Sequence, residues 1–210
     1  MSGSRDAIYV VRHGETEWNA AGRRQGRSDS PLTLRGRAQA VAVARALAPL
    51  LAEVECVSIE CSPLGRARVT ARILCRELQL PEHALVQAPL LAELDQGEWE
   101  GLTGVEIEAR FPGMREARAR DKWSFAMPGG ESYADAHARS CRWLAARKTG
   151  ETVVAVTHEM LSRTLRGAYA GQEPSQMLAL AHPHDRIFRL SGGACEELAL
   201  APAVRAARRA

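Results

Sequence analysis

Three times in this chain a short apolar run ends directly on a polar cluster that opens a helix-like stretch. AIYVV (7–11) runs into RHGETEWN, CVSIEC (56–61) into SPLGRARVTA, and TVVAV (152–156) into THEMLSRTL. A short β-rich run, a polar turn and then helical apolar spacing, in succession, is the signature of an α/β layered sheet. Ligands of such sheets collect beyond the carboxyl ends of the strands, where these three clusters fall. The pattern predicts a three-layer α/β/α sandwich around a mostly parallel sheet.

The segments between fit that layout. Thr33 is suited to cap a long helix through AQAVAVARALAPLLAEV, ending near Glu55 with a break at Pro49. Ser62-Pro63 is typical of a helix start, and LGRARVTARILCREL keeps helical apolar spacing up to Pro81. Residues 97–130 are less regular and rich in Arg and Glu, which predicts short helices or a lid that selects substrate. A further helix is expected from Ser132 to about Arg147, and another through MLSRTLRGAYAG, ending at Gly171. RIFRL and ACEELAL read as edge strands. No repeat or linker divides the chain, so residues 1–210 are read as one domain, with 1–6 and about 201–210 as flexible tails.

Composition excludes several classes. With 46% hydrophobic residues in 210, the chain can bury a core without disulfides or metals. Its formal charge of +3 is too weak to imply nucleic acid as a partner. Arg205, Arg208 and Arg209 read as a solvated tail. No segment has membrane-spanning length or a leader pattern. The five cysteines, Cys56, Cys61, Cys75, Cys141 and Cys195, form no CxxC pair and mostly lie in apolar runs. Reduced, buried thiols in a cytoplasmic protein are therefore expected. A homodimer is compatible with the sequence but not required by it.

The polar clusters share a chemistry. Arg12 can grip phosphate oxygens with two donors, Gly14 permits close backbone approach, and Asn19 can add an amide donor. A neutral imidazole at His13 is a good nucleophile toward phosphorus. Arg66 falls at the start of a helix, where the dipole and free N–H groups already favour an anion. His158 could hydrogen-bond the same oxygens as charge develops. In LLAELDQGEWEG, Glu93 is the best carboxyl for protonating a leaving oxygen, although Asp95, Glu98 and Glu100 are close by. The bland readings are a structural histidine for His13 or His158 and a helix-surface charge for Arg66; the position of each beyond a strand end argues against them. His182, His184 and Asp185 in AHPHD invite a metal reading, which their loop context and the lack of a further ligand at suitable spacing disfavour. No metal or cofactor is called for. In residues 97–130, Arg110, Arg115, Arg118, Arg120 and Lys122 alternate with Glu106, Glu108, Glu116 and Asp121, which favours a solvated helical face over a substrate-selecting one.

Taken together and in this order, RHGETEWN, SPLGRARVTA, ELDQGEWEG and VAVTHE resemble the histidine phosphatase superfamily, in its phosphoglycerate-mutase-like branch. The similarity extends from about Ile8 to Arg189. It implies a metal-independent enzyme in which His13 carries the phosphoryl group, Arg12, Arg66 and His158 hold it, and Glu93 donates a proton. Asn19 and the Gln25-Gly26 turn match positions that line the pocket. ELDQGEWEG and QGRSDSPLTLRGRAQA resemble the phosphatases better than the mutases. The chain departs from the family at Glu159, where a glycine usually follows the second histidine; its side chain is expected to face away from the pocket. The sequence thus points to a phosphomonoester hydrolase acting on a small phosphorylated metabolite. A phosphoglycerate mutase is the alternative, and a noncatalytic phospho-ligand binding module on the same fold is a third reading.

Overall fold

A computed structural model describes residues 7–148 and 150–200. The expected flexible tails, with Arg205, Arg208 and Arg209, lie outside the described residues. The strands are β1 (Ala7–Arg12), β2 (Val57–Cys61), β3 (Leu85–Gln87), β4 (Thr152–Thr157), β5 (Arg186–Ser191) and β6 (Ala194–Ala199). They form one sheet in the order β3-β2-β4-β1-β5-β6. The pairs β3·β2, β2·β4 and β4·β1 are parallel, while β5 runs antiparallel to both β1 and β6.

The three-layer arrangement follows from the period-two alternation of the strands. Ile8 and Val10 of β1, with Val153 and Ala155 of β4, enter a core with Tyr133, Trp143, Leu161 and Leu165. Tyr9 and Val11, with Val154 and Val156, enter the opposite core with Val43, Leu47, Ala71 and Leu74. The first face is therefore covered by α6 (Tyr133–Ala145) and α7 (Glu159–Tyr169), the second by α2 (Leu34–Leu51) and α3 (Gly65–Glu77). Strands buried on both sides need apolar residues at nearly every position, which is why 7–11 and 152–156 read as continuous runs.

Thr33 caps α2 as expected, its hydroxyl accepting from the Gly36 N–H. The helix does not break at Pro49 but continues to Leu51. The missing N–H there costs one ladder bond in the last turn, where the helix is ending anyway. One expectation about strands needs correction. RIFRL is not an edge: β5 lies between β1 and β6 and has buried Ile187, Phe188 and Leu190. The edge opposite β6 is the three-residue β3, too short to show a period. The thiols also divide differently. Cys61 and Cys75 are buried, but Cys56, Cys141 and Cys195 are exposed, and all five are free.

Residues 97–130 hold a turn of 3-10 helix at Gly97–Trp99 followed by α4 (Gly104–Arg110) and α5 (Met114–Arg120). This segment is anchored by Trp99, Ile107 and Met127 in the first core. Two shorter helices, α1 (Glu17–Ala20) and α8 (Pro174–Ala179), complete the α-helices among the described residues.

Candidate active site

The register of the sheet brings two of the clusters side by side. Arg12 at the end of β1 is paired with Thr157 at the end of β4, and the next N–H, that of His13, donates to the Thr157 carbonyl at 3.0 Å. The rings of His13 and His158, 145 positions apart in the chain, consequently lie 5.0 Å apart between centroids. Both are buried. Next to them is a cavity of about 270 Å³ lined by Arg12, His13, Asn19, Gln25, Gly26, Arg66 and Glu93. Seven of the eight residues expected from the sequence thus line one cavity, with the eighth, His158, in ring contact with His13.

The protonation of His13 can be deduced from its bonds. Its Nδ1 faces the Gly14 carbonyl at 2.8 Å and must donate to it, which leaves Nε2 with a lone pair. Burial, reinforced by His158, Arg66 and Arg12, holds the ring well below the usual histidine range, so it is neutral at pH 7. Gly14 is confined on its other side: a Cβ there would meet the Gly36 carbonyl oxygen at 2.2 Å. Its N–H donates to Thr70 Oγ1, which in turn donates to the Arg66 carbonyl. The His13-Gly14 turn is thus tied to the helix that carries Arg66.

His158 Nε2 lies 2.8 Å from Ser62 Oγ, which accepts from the Leu64 N–H. With the Ser62 proton directed to Nε2, His158 carries its own proton on Nδ1. That Nδ1 is buried and has no partner in the protein. Arg12 Nε and Arg66 Nε are in the same condition. Each buried donor left without an acceptor costs roughly 1–3 kcal/mol, and the three share a preference for an anion. Burial lowers the pKa of both guanidiniums, with nearby carboxylates opposing it.

Ser62 does not cap α3, and neither does any residue of its own segment. The first N–H of that helix donates to Asp29, whose Oδ1 also accepts from Arg66 Nη1 at 2.8 Å. The expectation that the α3 N-terminus favours a ligand anion is therefore corrected: Asp29 already supplies the negative charge there. Arg66 is held further by the carbonyls of Ser28 and Gly26, both at 2.6 Å, so its planar fork is fully directed. Gly26 has φ +53°, and a Cβ would meet Glu100 Oε1 at 2.0 Å, so the turn that presents this carbonyl requires glycine.

The loop residues carry mixed duties. Gln25 donates to Thr16 Oγ1 at 2.6 Å and faces Ser30 through its oxygen, so both of its ends are used within the loop. Asn19 Oδ1 accepts from the Thr16 N–H and hydroxyl, which leaves only Nδ2 to offer a ligand.

Glu93 is buried against the start of α7. Its oxygens accept from the N–H groups of Leu94, Leu161 and Met160 at 3.0, 3.0 and 3.2 Å. Burial raises its pKa, while those three donors and Arg66 pull it down. The loop bearing Glu93 is fixed by Arg139, which donates to the carbonyls of Leu90, Ala92 and Glu93 and pairs with Glu131. Asp95, the nearest competitor, accepts from the Gly97 N–H and does not line the cavity.

Other findings revise or extend the sequence reading. Glu159 does not face away: it lines the cavity and its Oε2 pairs with Arg12 Nη1 at 3.0 Å. The first turn of α7 points its side chain across the end of β1, a consequence of the β1·β4 register that the sequence does not display. Of the basic residues at 110–122, Arg118 and Lys122 line the cavity, where Arg23, Arg24 and Arg163 join them. Arg120 instead pairs with Glu116, and Arg115 donates to the Gly104 carbonyl. The solvated-face expectation is thus correct for part of that segment only. His182 and His184 belong to the supporting shell: Arg12 Nη1 donates to the His182 carbonyl at 2.9 Å, and His184 Nδ1 donates to the His13 carbonyl at 2.6 Å. Among the described residues no group of three or more His, Cys, Asp and Glu is arranged to hold a metal ion.

Residues 8–197 match the histidine phosphatase superfamily (branch 1), and the chain belongs to that family. Over 185 residues it is 32% identical to a 6-phosphofructo-2-kinase/fructose-2,6-bisphosphatase of Caenorhabditis elegans, covering 88% of this chain and 38% of that protein. Over 162 residues it is 36% identical to a metal-independent phosphoserine phosphatase of Arabidopsis thaliana, covering 75% of this chain and 66% of that one. The chain therefore spans less than two thirds of the length of either relative. A mycobacterial glucosyl-3-phosphoglycerate phosphatase, solved in complex with VO3, superposes with a TM-score of 0.75 at 32% identity, covering 88% of this chain and 90% of that one. Each of these names includes a phosphatase activity, the first together with a kinase.

Proposed function

We propose that the chain is a phosphomonoester hydrolase that works through a phosphohistidine on His13. The observation that carries this reading is the state of that ring: neutral, with Nε2 free, and flanked by two arginines whose Nε donors lack acceptors. In the first step the Nε2 lone pair forms the P–N bond as the ester P–O bond breaks, and the departing oxygen takes a proton from Glu93. Arg12, Arg66 and His158 Nδ1 hold the equatorial oxygens, where charge is concentrated in the transition state. Asn19 Nδ2 adds a donor, while Gln25 and Gly26 shape the turn that fixes Arg66. In the second step water attacks phosphorus, Glu93 accepts its proton, and the P–N bond breaks to release phosphate.

The proposed substrate is a small phosphorylated metabolite. The rim of Arg23, Arg24, Arg118, Lys122 and Arg163 favours an anionic one, and residues 97–130 then act as a specificity segment rather than as surface alone. The proposed location is the cytoplasm, supported by five free thiols; no helix among the described residues is long and apolar enough to cross a membrane.

Rapid quenching with a radiolabelled phosphomonoester tests the mechanism. Acid-labile, base-stable label should appear on His13, and His13→Ala should retain only a trace of turnover. Substantial activity in that variant, or activity abolished by EDTA, refutes the phosphohistidine route. Dependence on a bisphosphoglycerate primer, with the phosphoryl group ending on the sugar acid, would identify a mutase; phosphate binding with no turnover would identify a binding module.

A further inference from the structure

Glu159 is placed where a carboxylate is hard to reconcile with a phosphate site, and its bonds explain what it does there. Besides the pair with Arg12, its other oxygen pairs with Arg163 one helical turn along α7. It is thus a bridge between a guanidinium aimed at the reacting phosphate and one on the cavity rim. The side chain is 31% exposed, against 13% for Arg12, so the carboxylate approaches from the open side of the cavity. Burial works to raise its pKa, but Arg12 and Arg163 outweigh that and hold it ionised. The cavity lining otherwise contains seven arginine or lysine side chains and, apart from Glu159, the single carboxylate Glu93. Any dianion entering such a site would be held tightly, and so would the phosphate that has to leave.

We propose that Glu159 is a built-in counter-anion of the phosphate site: it competes with bound phosphate for Arg12 and so hastens release of inorganic phosphate. This rests on the phosphatase reading and adds to it a positioning residue for product release. Arg12 Nη1 is shared between the Glu159 carboxylate and the His182 carbonyl, so Glu159 can give ground without Arg12 losing its anchor. Removing the carboxylate also frees Arg163 to act as one more unpaired cation at the rim.

The test is the affinity of the full chain for inorganic phosphate, by isothermal titration calorimetry at fixed ionic strength, in the parent, Glu159→Gln and Glu159→Gly. Both variants should bind phosphate more tightly, by on the order of tenfold, the size of effect expected for one partly exposed charge near a dianion. Inhibition of nitrophenyl phosphate hydrolysis by phosphate should strengthen in parallel, with KM falling. The direction separates this role from a merely structural one, since a loosened pocket binds phosphate more weakly. Unchanged or weaker binding in a folded variant overturns the proposal, and two variants guard against one failing to fold. If the parent hydrolyses no phosphomonoester yet the variants still bind phosphate more tightly, the phosphatase reading fails and the counter-anion role stands.

Discussion

The proton donor offers the sharpest test of the chemistry. A general acid matters only when the departing oxygen is too basic to leave as an anion, so an alkyl phosphate needs Glu93 and a nitrophenyl phosphate scarcely does. The perturbation is Glu93→Gln, and the bonding around Glu93 shows what else it changes. If the amide oxygen takes the place of Oε1 it keeps the Leu94 and Leu161 N–H groups, but its NH2 then faces the Met160 N–H, donor against donor. Losing that one buried bond costs roughly 1–3 kcal/mol of stability, or a fall of several degrees in Tm. The loss is the same whatever the substrate, and activity measured far below Tm is insulated from it. Loss of the proton should cost about 10²-fold in phosphoenzyme formation, near 2.7 kcal/mol of transition-state stabilisation, for the alkyl ester alone. The assay is a single-turnover burst with each ester on parent and variant. A ratio of the two losses near unity would falsify the acid role and leave Glu93 as the cap of α7.

Arg66→Lys should lower kcat/KM at least tenfold, about 1.4 kcal/mol, because an ammonium cannot reach the Ser28, Gly26 and Asp29 oxygens and still present a donor to the cavity. Activity close to that of the parent would remove Arg66 from the phosphate grip. Stability should fall as pH drops from about 6.5 toward 4, monitored by thermal unfolding. Burial holds His13, His158 and His182 well below the usual histidine range and His184 at about 4. The unfolded chain therefore takes up protons first, and the stability these groups contribute above pH 6.5 is lost below it. His184 alone accounts for up to about 3 kcal/mol before screening of its partly exposed ring, while the raised pKa of Glu93 works in the opposite sense. A Tm constant between pH 7 and 5 contradicts the assignment of neutral, buried imidazoles.

Much of the site is legible before any coordinates because a nucleophile turn has to be local. In the proposed mechanism Arg12, His13 and Gly14 act from consecutive positions, so the strand that delivers them and the chemistry they offer are written together. The same holds for Arg66 at the head of α3 and His158 after β4. Glu93 is less legible, since it stands among four acidic residues in LLAELDQGEWEG that compete for the role, and the family resemblance adds the support that local pattern lacks. The structure distinguishes it by burial: Arg139, 46 residues away, pins its loop so that its carboxylate meets the first turn of α7.

The sequence by itself determined the layered sheet, its two covered faces and the residue types gathered at its carboxyl edge, because period-two strands, helix caps and strand-end polar turns are short-range properties. Only the tertiary structure decided which side chains are spent on one another. Asp29 takes the α3 N-terminus from any ligand, His184 and His182 brace His13 and Arg12, and β5 enters the sheet as an interior strand. Glu159 faces inward for the same reason. Each outcome depends on the register between strands far apart in the chain, where the partners of a buried charge are set by which segments pack together, and no local pattern encodes that choice.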